Sequence, residues 1–572
     1  MNPNGDNSND GSSESPWQTI QYAIDQAAAG DIIYVRDGVY NELVEFHNSG
    51  SEDGGYITLT NDVDHAPIID GTGLGESSEE PGLIRMQHIE YVKVIGFELR
   101  NLTTMNDYIF PAGIWVVGES HHIEIRDMLV HHIEQNHESD GGSHGIAVYG
   151  TSAAQAIHDV IIDHCEVRDC ALSWSESLVL NGNVTDFVIS NNRVHDNNNI
   201  GIVCIGHEET CPDPELDQAR NGIVADNIVY NIDSRSNPAY QGEASADGFY
   251  SDGGKNIIFE RNIAYQCNIG FEVASEHGNK STSGIIVRNN FLFDNHVVGL
   301  AIGGYDELRG EAFDCHIVNN TFYHNNADNI DWGAEFLQNF YCHDNTIRNN
   351  IFYSRSGTPL LINESQTGED NSFDYNLYYS AGDPIWIWDS VEYSAFQDFQ
   401  TSVGQELFGL YSDPFLIDPG NGDLHLPTSS PAKERGQNLA TEIIGSTDID
   451  GDDRIINVIV DIGADEVSGI VSAENVDSQC DQPILFCAFP NPFADQTAIR
   501  YRVEKRGVAS LQIFNISGQL VKTLVSNTNS AGSYQQTWDG ANESGEKVGP
   551  GVYFYCLTVG DAAQTRKMAL IR

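Results

Sequence analysis

Short apolar runs with two-residue alternation, broken by single glycines and asparagine pairs, recur through residues 84–380, and two phrases return each time. The first reads Gly113-Ile-Trp-Val-Val-Gly118, Gly145-Ile-Ala-Val-Tyr-Gly150, Ser177-Leu-Val-Leu-Asn-Gly182, Gly201-Ile-Val-Cys-Ile-Gly206, Gly248-Phe-Tyr-Ser-Asp-Gly253, Gly270-Phe-Glu-Val-Ala-Ser275 and Gly299-Leu-Ala-Ile-Gly-Gly304. The second includes Val188-Ile-Ser-Asn-Asn192, Ile258-Phe-Glu-Arg-Asn262 and Ile286-Val-Arg-Asn-Asn290. Copies of the first phrase end 22 to 47 residues apart, and each step reads as one coil of a β-solenoid. A helical solenoid needs a 3.6-residue period, and a propeller needs about four strands per ~40-residue blade; neither pattern is present. Asparagine tolerates left-handed backbone and can bond to the asparagine above it, so the pairs are assigned to corners rather than to ligands.

Alternation assigns a face to every residue of the first phrase. The residue after the leading Gly or Ser is Ile, Leu or Phe and points inward; the next points outward, as does the one two places later. The first outward column is Trp115, Ala147, Val179, Val203, Tyr250, Glu272, Ala301, and the second is Val117, Tyr149, Asn181, Ile205, Asp252, Ala274, Gly303. Two carboxylates, Asp252 and Glu272, interrupt these neutral columns in consecutive coils, with Asp247, Asn268 and Glu276 in the adjoining turns. With coils about 4.8 Å apart, their backbones lie roughly 8 Å apart on the diagonal. That spacing suits a divalent cation held by hard oxygens, or an acid/base pair separated by water. Tyr250, Lys255, His277 and Lys280 add titrating groups nearby. Two excursions, Glu208–Asn221 and Asp233–Ala246, leave the solenoid just before this coil and are expected to wall a cleft, with Trp115, Tyr149, His207 and Tyr305 as sugar-stacking or substrate-binding residues.

The flanks predict the domain plan. Residues 1–14 read as a flexible N-terminus. Ser15 to Gly30 reads as a short amphipathic helix with a Gly stop, followed by the strand Asp31-Ile-Ile-Tyr-Val-Arg36, which is the cap that a first coil needs. This opening resembles that of bacterial right-handed parallel β-helix proteins. His425-Leu-Pro-Thr and Asp448-Ile-Asp-Gly-Asp-Asp through Asp461-Ile-Gly-Ala-Asp-Glu466 resemble the segment that closes such helices; the Asp448 run is read as a turn, although it has the flavour of a calcium loop. The β-helix is thus placed at 15–466, a linker at 467–482 and a β-sandwich at 483–572. Within the last, Phe489-Pro-Asn-Pro-Phe493, Val521-Lys-Thr-Leu524, Trp538-Asp-Gly540 and Gly551-Val-Tyr-Phe554 resemble type IX secretion C-terminal sorting domains. That resemblance implies export by the type IX machinery to the outer-membrane surface or medium, with a signal peptide trimmed from this sequence.

Charge narrows the partners. With 28 Lys+Arg against 84 Asp+Glu the chain carries a formal charge of −56, yet 40% of its residues are hydrophobic, so it folds beneath an acidic skin. Nucleic acid and anionic membranes need a basic footprint, which is missing, and no run approaches the ~20 apolar residues of a membrane span. The ten cysteines form no CxxC signature and are read as disulfides or buried thiols. The chain is expected to be a monomer.

Ala246-Asp-Gly-Phe249 followed by Asn268-Ile-Gly-Phe-Glu272 resembles the calcium motifs of family 9 polysaccharide lyases. The resemblance implies Ca2+ bound by Asp247 and Glu272, with Asn268 and Ile269 standing where the family has aspartates. The family's catalytic lysine falls at Ala301, so a base would have to come from Lys280, Lys255, Tyr250 or His277. The leading expectation is a calcium-assisted lyase acting on a uronate polymer, with Asp247, Asn268, Glu272 and Glu276 as ligands. The alternatives are an inverting glycoside hydrolase using Asp252 and Glu272, and a non-catalytic adhesin or glycan-binding solenoid.

Overall fold

The alternating phrases become parallel strands. In a computed structural model each coil gives one strand to each of three sheets of 12, 13 and 13 strands, which begin with Ile32–Val35, Gly38–Tyr40 and Val44–Phe46. Crossovers between parallel strands take the right-handed sense, so the sheets wind into a right-handed parallel β-helix. The described residues are 1–363, 368, 370–456, 458–468, 484–489, 493–494, 496–503, 507–516, 518–529, 532–560 and 562–571. Cys480 and most of the expected linker lie outside them. Two units form, Met1–Gly469 and Ile470–Arg572.

Inside the first unit the inward column Ile114, Ile146, Leu178, Ile202, Phe249, Phe271, Leu300 stacks in register. The leading glycines are needed for close approach rather than for positive φ: a Cβ on Gly248 or Gly270 would stand 2.8 or 2.5 Å from the next coil's carbonyl oxygen. The asparagine pairs divide their work. The first member takes the left-handed conformation (Asn191, Asn289, Asn319 and Asn349, φ 55 to 57°), and Arg261 or Tyr375 can replace it. The second forms a ladder, in which Asn192, Asn227, Asn262, Asn290, Asn320 and Asn350 each donate Nδ2–H to the Oδ1 of the next at 2.9–3.2 Å, and Asn376 ends the run on the Glu406 carboxylate.

The first coil is capped by the helix Ile20–Gln26, whose Thr19 side chain accepts the Tyr22 N–H. Residues 1–14, expected to be flexible, are bonded into this cap: Met1 N–H₃⁺ donates to Tyr34 O, and Asn2 N–H to Trp17 O. At the other end the helix Phe396–Val403 seats Phe399 against Trp386. The segment expected to close the helix instead runs back along the outside of the second sheet. There Leu416, Leu424, Leu426 and Ile462 pack on Phe291, Phe293 and Ile351, and Asn289, Asn319 and Asn349 bond its backbone. Eight described cysteines are free thiols, seven of them buried.

The second unit pairs Ile484–Phe489, Thr497–Val503 and Gly532–Trp538 in one antiparallel sheet, and Gly507–Asn515, Leu520–Asn529, Gly551–Val559 and Ala562–Leu570 in another. A core including Ile499, Leu511, Trp538, Tyr555 and Met568 makes a β-sandwich.

Candidate functional site: an acidic strip on the third sheet

The two predicted outward columns lie in register on the outer face of the third sheet: Tyr250 is paired with Glu272, and Asp252 with Ala274. A third column stands one bend earlier. It holds the residue before each leading Gly or Ser: Ala112, His144, Glu176, Ile200, Asp247, Ile269 and Val298. Asp247 therefore belongs to the strand Asp247–Asp252 and faces outward beside Tyr250 and Asp252. His144 and Glu176, missed in the sequence, share its column; the signal was the residue preceding the glycine.

Outward here does not mean exposed. Trp115 and Tyr250 are each 3% exposed and sit in an apolar layer with Ala147, Val179, Val203 and Ile205. Trp115 meets His144 and Tyr149 edge-on, both at 5.1 Å, so it packs the wall rather than offering a face to sugar. Tyr149 is half-buried, its hydroxyl 3.5 Å from His144 Nε2. His207 lies past the strand Ile202–Ile205, with Nε2 3.2 Å from Ser281 O. Of the expected stacking residues Tyr305 alone is well exposed (48%), with the Arg309 guanidinium 4.4 Å from its ring centroid.

The carboxyls converge. Asp247, Asp252 and Glu272 are buried, and the Asp247 and Glu272 carboxyls lie close enough to raise the Asp247 pKa. Asp252 Oδ1 accepts the Glu276 N–H at 2.8 Å. Burial first, and neighbouring carboxylates second, push Glu272 up to about 8 and hold Asp247 and Asp252 well above the ordinary carboxylate range. Burial likewise holds the Tyr250 phenol protonated. His277, with Glu208 and Asp252, places one ligand atom per residue within 4.8 Å of the others; Glu208 was not anticipated. Glu176 Oε2, Asn181 Oδ1 and Asp247 Oδ1 are sealed without hydrogen-bond partners. Among the described residues of the strip, Glu208, Asp252 and His277 are the donors gathered closely enough to share one ion, and their two carboxylates with one imidazole fit a divalent cation.

Two expected roles fail on geometry. Asn268 is no ligand: its Oδ1 accepts from Ser234 N, Ser234 Oγ and Ala246 N, and its Nδ2 donates to Asp233. Lys255 is exposed at a turn in line with Arg220 and Ser283, at the edge of the first sheet rather than on the strip. Lys280 lines an open groove of about 580 Å³ with Glu307, Arg309, Glu311 and Tyr341, and makes no ion pair among the described residues. Ala301, directly above Glu272, is packed with Ile269, Val298 and Leu337.

The fold and its first coils define a class: residues 1–159 match the model of the Pel9A-like right-handed β-helix region, and residues 495–562 match that of the FlgD Ig-like domain. Pectate lyase PEL9 of Emericella nidulans is 28% identical over 148 residues, covering 21% of this chain and 35% of PEL9, so the β-helix is distantly pectate-lyase-like. The chain belongs to the family of YwoF, an uncharacterized protein of Bacillus subtilis; the two are 34% identical over 435 residues, 76% of this chain and 91% of YwoF. Among solved structures, XylC in complex with xylose superposes with a TM-score of 0.46 at 12% identity, over 81% of this chain and 97% of that one.

Proposed function

We propose that this chain acts on an acidic polysaccharide as a calcium-assisted lyase, with Asp247, Glu272 and Asp252 as the first ligands and Glu276 at the rim. The observation that carries the reading is geometric: Asp247, Asp252 and Glu272 are buried on one face of the third sheet, and Asp247 Oδ1 is sealed there without a hydrogen-bond partner. An acid/base pair needs neighbouring groups driven apart, one protonated and one ionised. Here Asp247, Asp252, Glu272 and Glu276 are all driven upward, with burial the largest cause in each. A divalent ion reverses that burden. The bound ion would neutralise the uronate carboxylate and acidify the adjacent proton. Lys280 in the groove and His277 against Asp252 are the bases to test, since Tyr250 is sealed and held protonated. The distant likeness to PEL9 supports the substrate class.

We further propose that residues 483–572 serve export or anchoring outside the cell, joined through 467–482. The experiment is incubation with acidic and neutral polysaccharides, with calcium or chelator, following unsaturated product by ultraviolet absorbance and reducing ends in parallel. Calcium-dependent unsaturated product from an acidic polymer is expected. Reducing ends alone would move the assignment to the hydrolase, and binding without either product to the adhesin.

A further inference from the structure

The segment that runs back along the second sheet carries a side-chain cluster remote in sequence from the acidic strip. His425 stands among aspartates from three different turns. Its Nδ1 is 2.6 Å from Asp423 Oδ1 and its Nε2 is 3.2 Å from Asp450 Oδ2, while one ligand atom each of His425, Asp450 and Asp465 lies within 4.8 Å of the other two. These groups are positioned by the chain itself. Asp465 is 7% exposed, and its Oδ2 accepts the Leu426 N–H at 2.7 Å. Asp450 rides on a turn that Asp448 Oδ1 gathers by accepting the N–H groups of Asp450 and Asp452 at 3.1 and 2.8 Å. The ring of Phe291 closes one side, its centroid 5.3 Å from that of His425. The nearby Arg454 is committed elsewhere, to Asn289, the Ala464 and Asp461 carbonyls and the Glu466 carboxylate.

The tautomer follows from these bonds. When Nδ1–H donates to Asp423, a neutral imidazole presents its Nε2 lone pair toward Asp450 and Asp465. Nε2 is sealed from solvent and stands 3.2 Å from Asp450 Oδ2, outside the geometry of a hydrogen bond; with no ion bound, burial pulls the ring's pKa down but the Asp450, Asp465 and Asp423 carboxylates outweigh it and hold the ring protonated. Carboxylates on both sides of one imidazole call for a positive charge among them, from a proton or from a metal ion that displaces it, and a carboxylate behind Nδ1 is the partner that orients metal-bound histidines. We propose that His425, Asp450 and Asp465, oriented by Asp423, form a structural site for a divalent transition ion of the zinc or manganese type. One imidazole nitrogen with carboxylate oxygens suits a borderline ion of low coordination number better than calcium, which takes six to eight oxygens. The ion fastens the turns at 423–426, 448–453 and 461–466 to one another on the outside of the second sheet. The competing occupant is a proton on His425.

The test uses the full chain carrying His158→Ala and His277→Ala, because His122, His158 and Asp159 on the first sheet and Glu208, Asp252 and His277 on the strip also gather within 4.8 Å and can take zinc. After chelation and dialysis, zinc, manganese or calcium chloride is added, and bound metal per protein and the thermal midpoint are measured. One zinc or manganese equivalent that raises the midpoint is expected, with calcium giving no response from this site. Asp450→Ala removes a side chain that is 57% exposed, so it should fold like the unliganded parent and lose both the equivalent and the midpoint rise. Asp450→Asn serves if the alanine variant is unstable. Asp423→Asn should weaken binding about 10–100-fold. A response equal in parent and Asp450 variants, or no metal retained by the parent, overturns the site and leaves the proton as its occupant.

Discussion

Two stacks of buried polar groups run along the same coils, and they are built in opposite ways. The asparagine ladder from Asn192 to Asn376 satisfies its amides coil by coil and closes on Glu406. The acidic strip, on the outer face of the third sheet, leaves Asp247 Oδ1 without a hydrogen bond, holds Glu176 Oε2 only by His144 Nδ1 at 3.4 Å, and crowds four carboxyls together. The ladder is a fully connected network of the kind that stabilises and specifies a fold. The strip works against stability, a local cost that the proposed ion would relieve. Loss of ladder members should therefore harm folding, and loss of strip members should harm activity while sparing or aiding folding.

The largest effect expected from that contrast is on turnover. Glu272→Gln should lower calcium-dependent lyase activity by at least ~100-fold while raising the stability of the chelated protein, because one of the crowded carboxyls is removed. Steady-state kinetics and denaturant unfolding of the same preparation check both halves; a destabilised but active variant would break the contrast. Next comes Trp115→Ala, which should cost about 3–5 kcal/mol by opening a cavity in the apolar wall. Asn262→Ala should cost roughly 3 kcal/mol, because it strips the acceptor from Asn227 N–H and Nδ2–H and leaves buried donors unpaired. Urea midpoints report these two losses, and the residual activity per folded molecule should be unchanged for Asn262→Ala.

The strip also sets a pH dependence. Glu272, raised by burial from 4.5 to about 8, favours the folded state below its unfolded pKa and loses that contribution as pH rises through about 8. In chelator, stability should fall between about pH 4.5 and 8, and calcium should flatten the fall. Melting curves with and without calcium measure it. The smallest effect is Tyr305→Ala, which should weaken polysaccharide binding roughly tenfold with no change in midpoint, since this ring is exposed.

What the sequence by itself determined is what repeats. Coil phrases, inward and outward columns, asparagine corners and the acidic pair Asp252/Glu272 follow from two-residue alternation, because a strand's pleat fixes which way each side chain points. The third column was also legible, in the residue before each leading glycine or serine, once Gly248 is recognised as a bend within the strand. Tertiary structure decided what covers those columns. No local rule says that Trp115 and Tyr250 are roofed over, that Asn268 is consumed by the corner of the preceding coil, or that the Asp448 turn folds back to meet His425. Each of these depends on residues brought together from distant coils or returning loops, and burial, which moves the carboxyl pKa values and silences the tryptophan, is a property of that meeting.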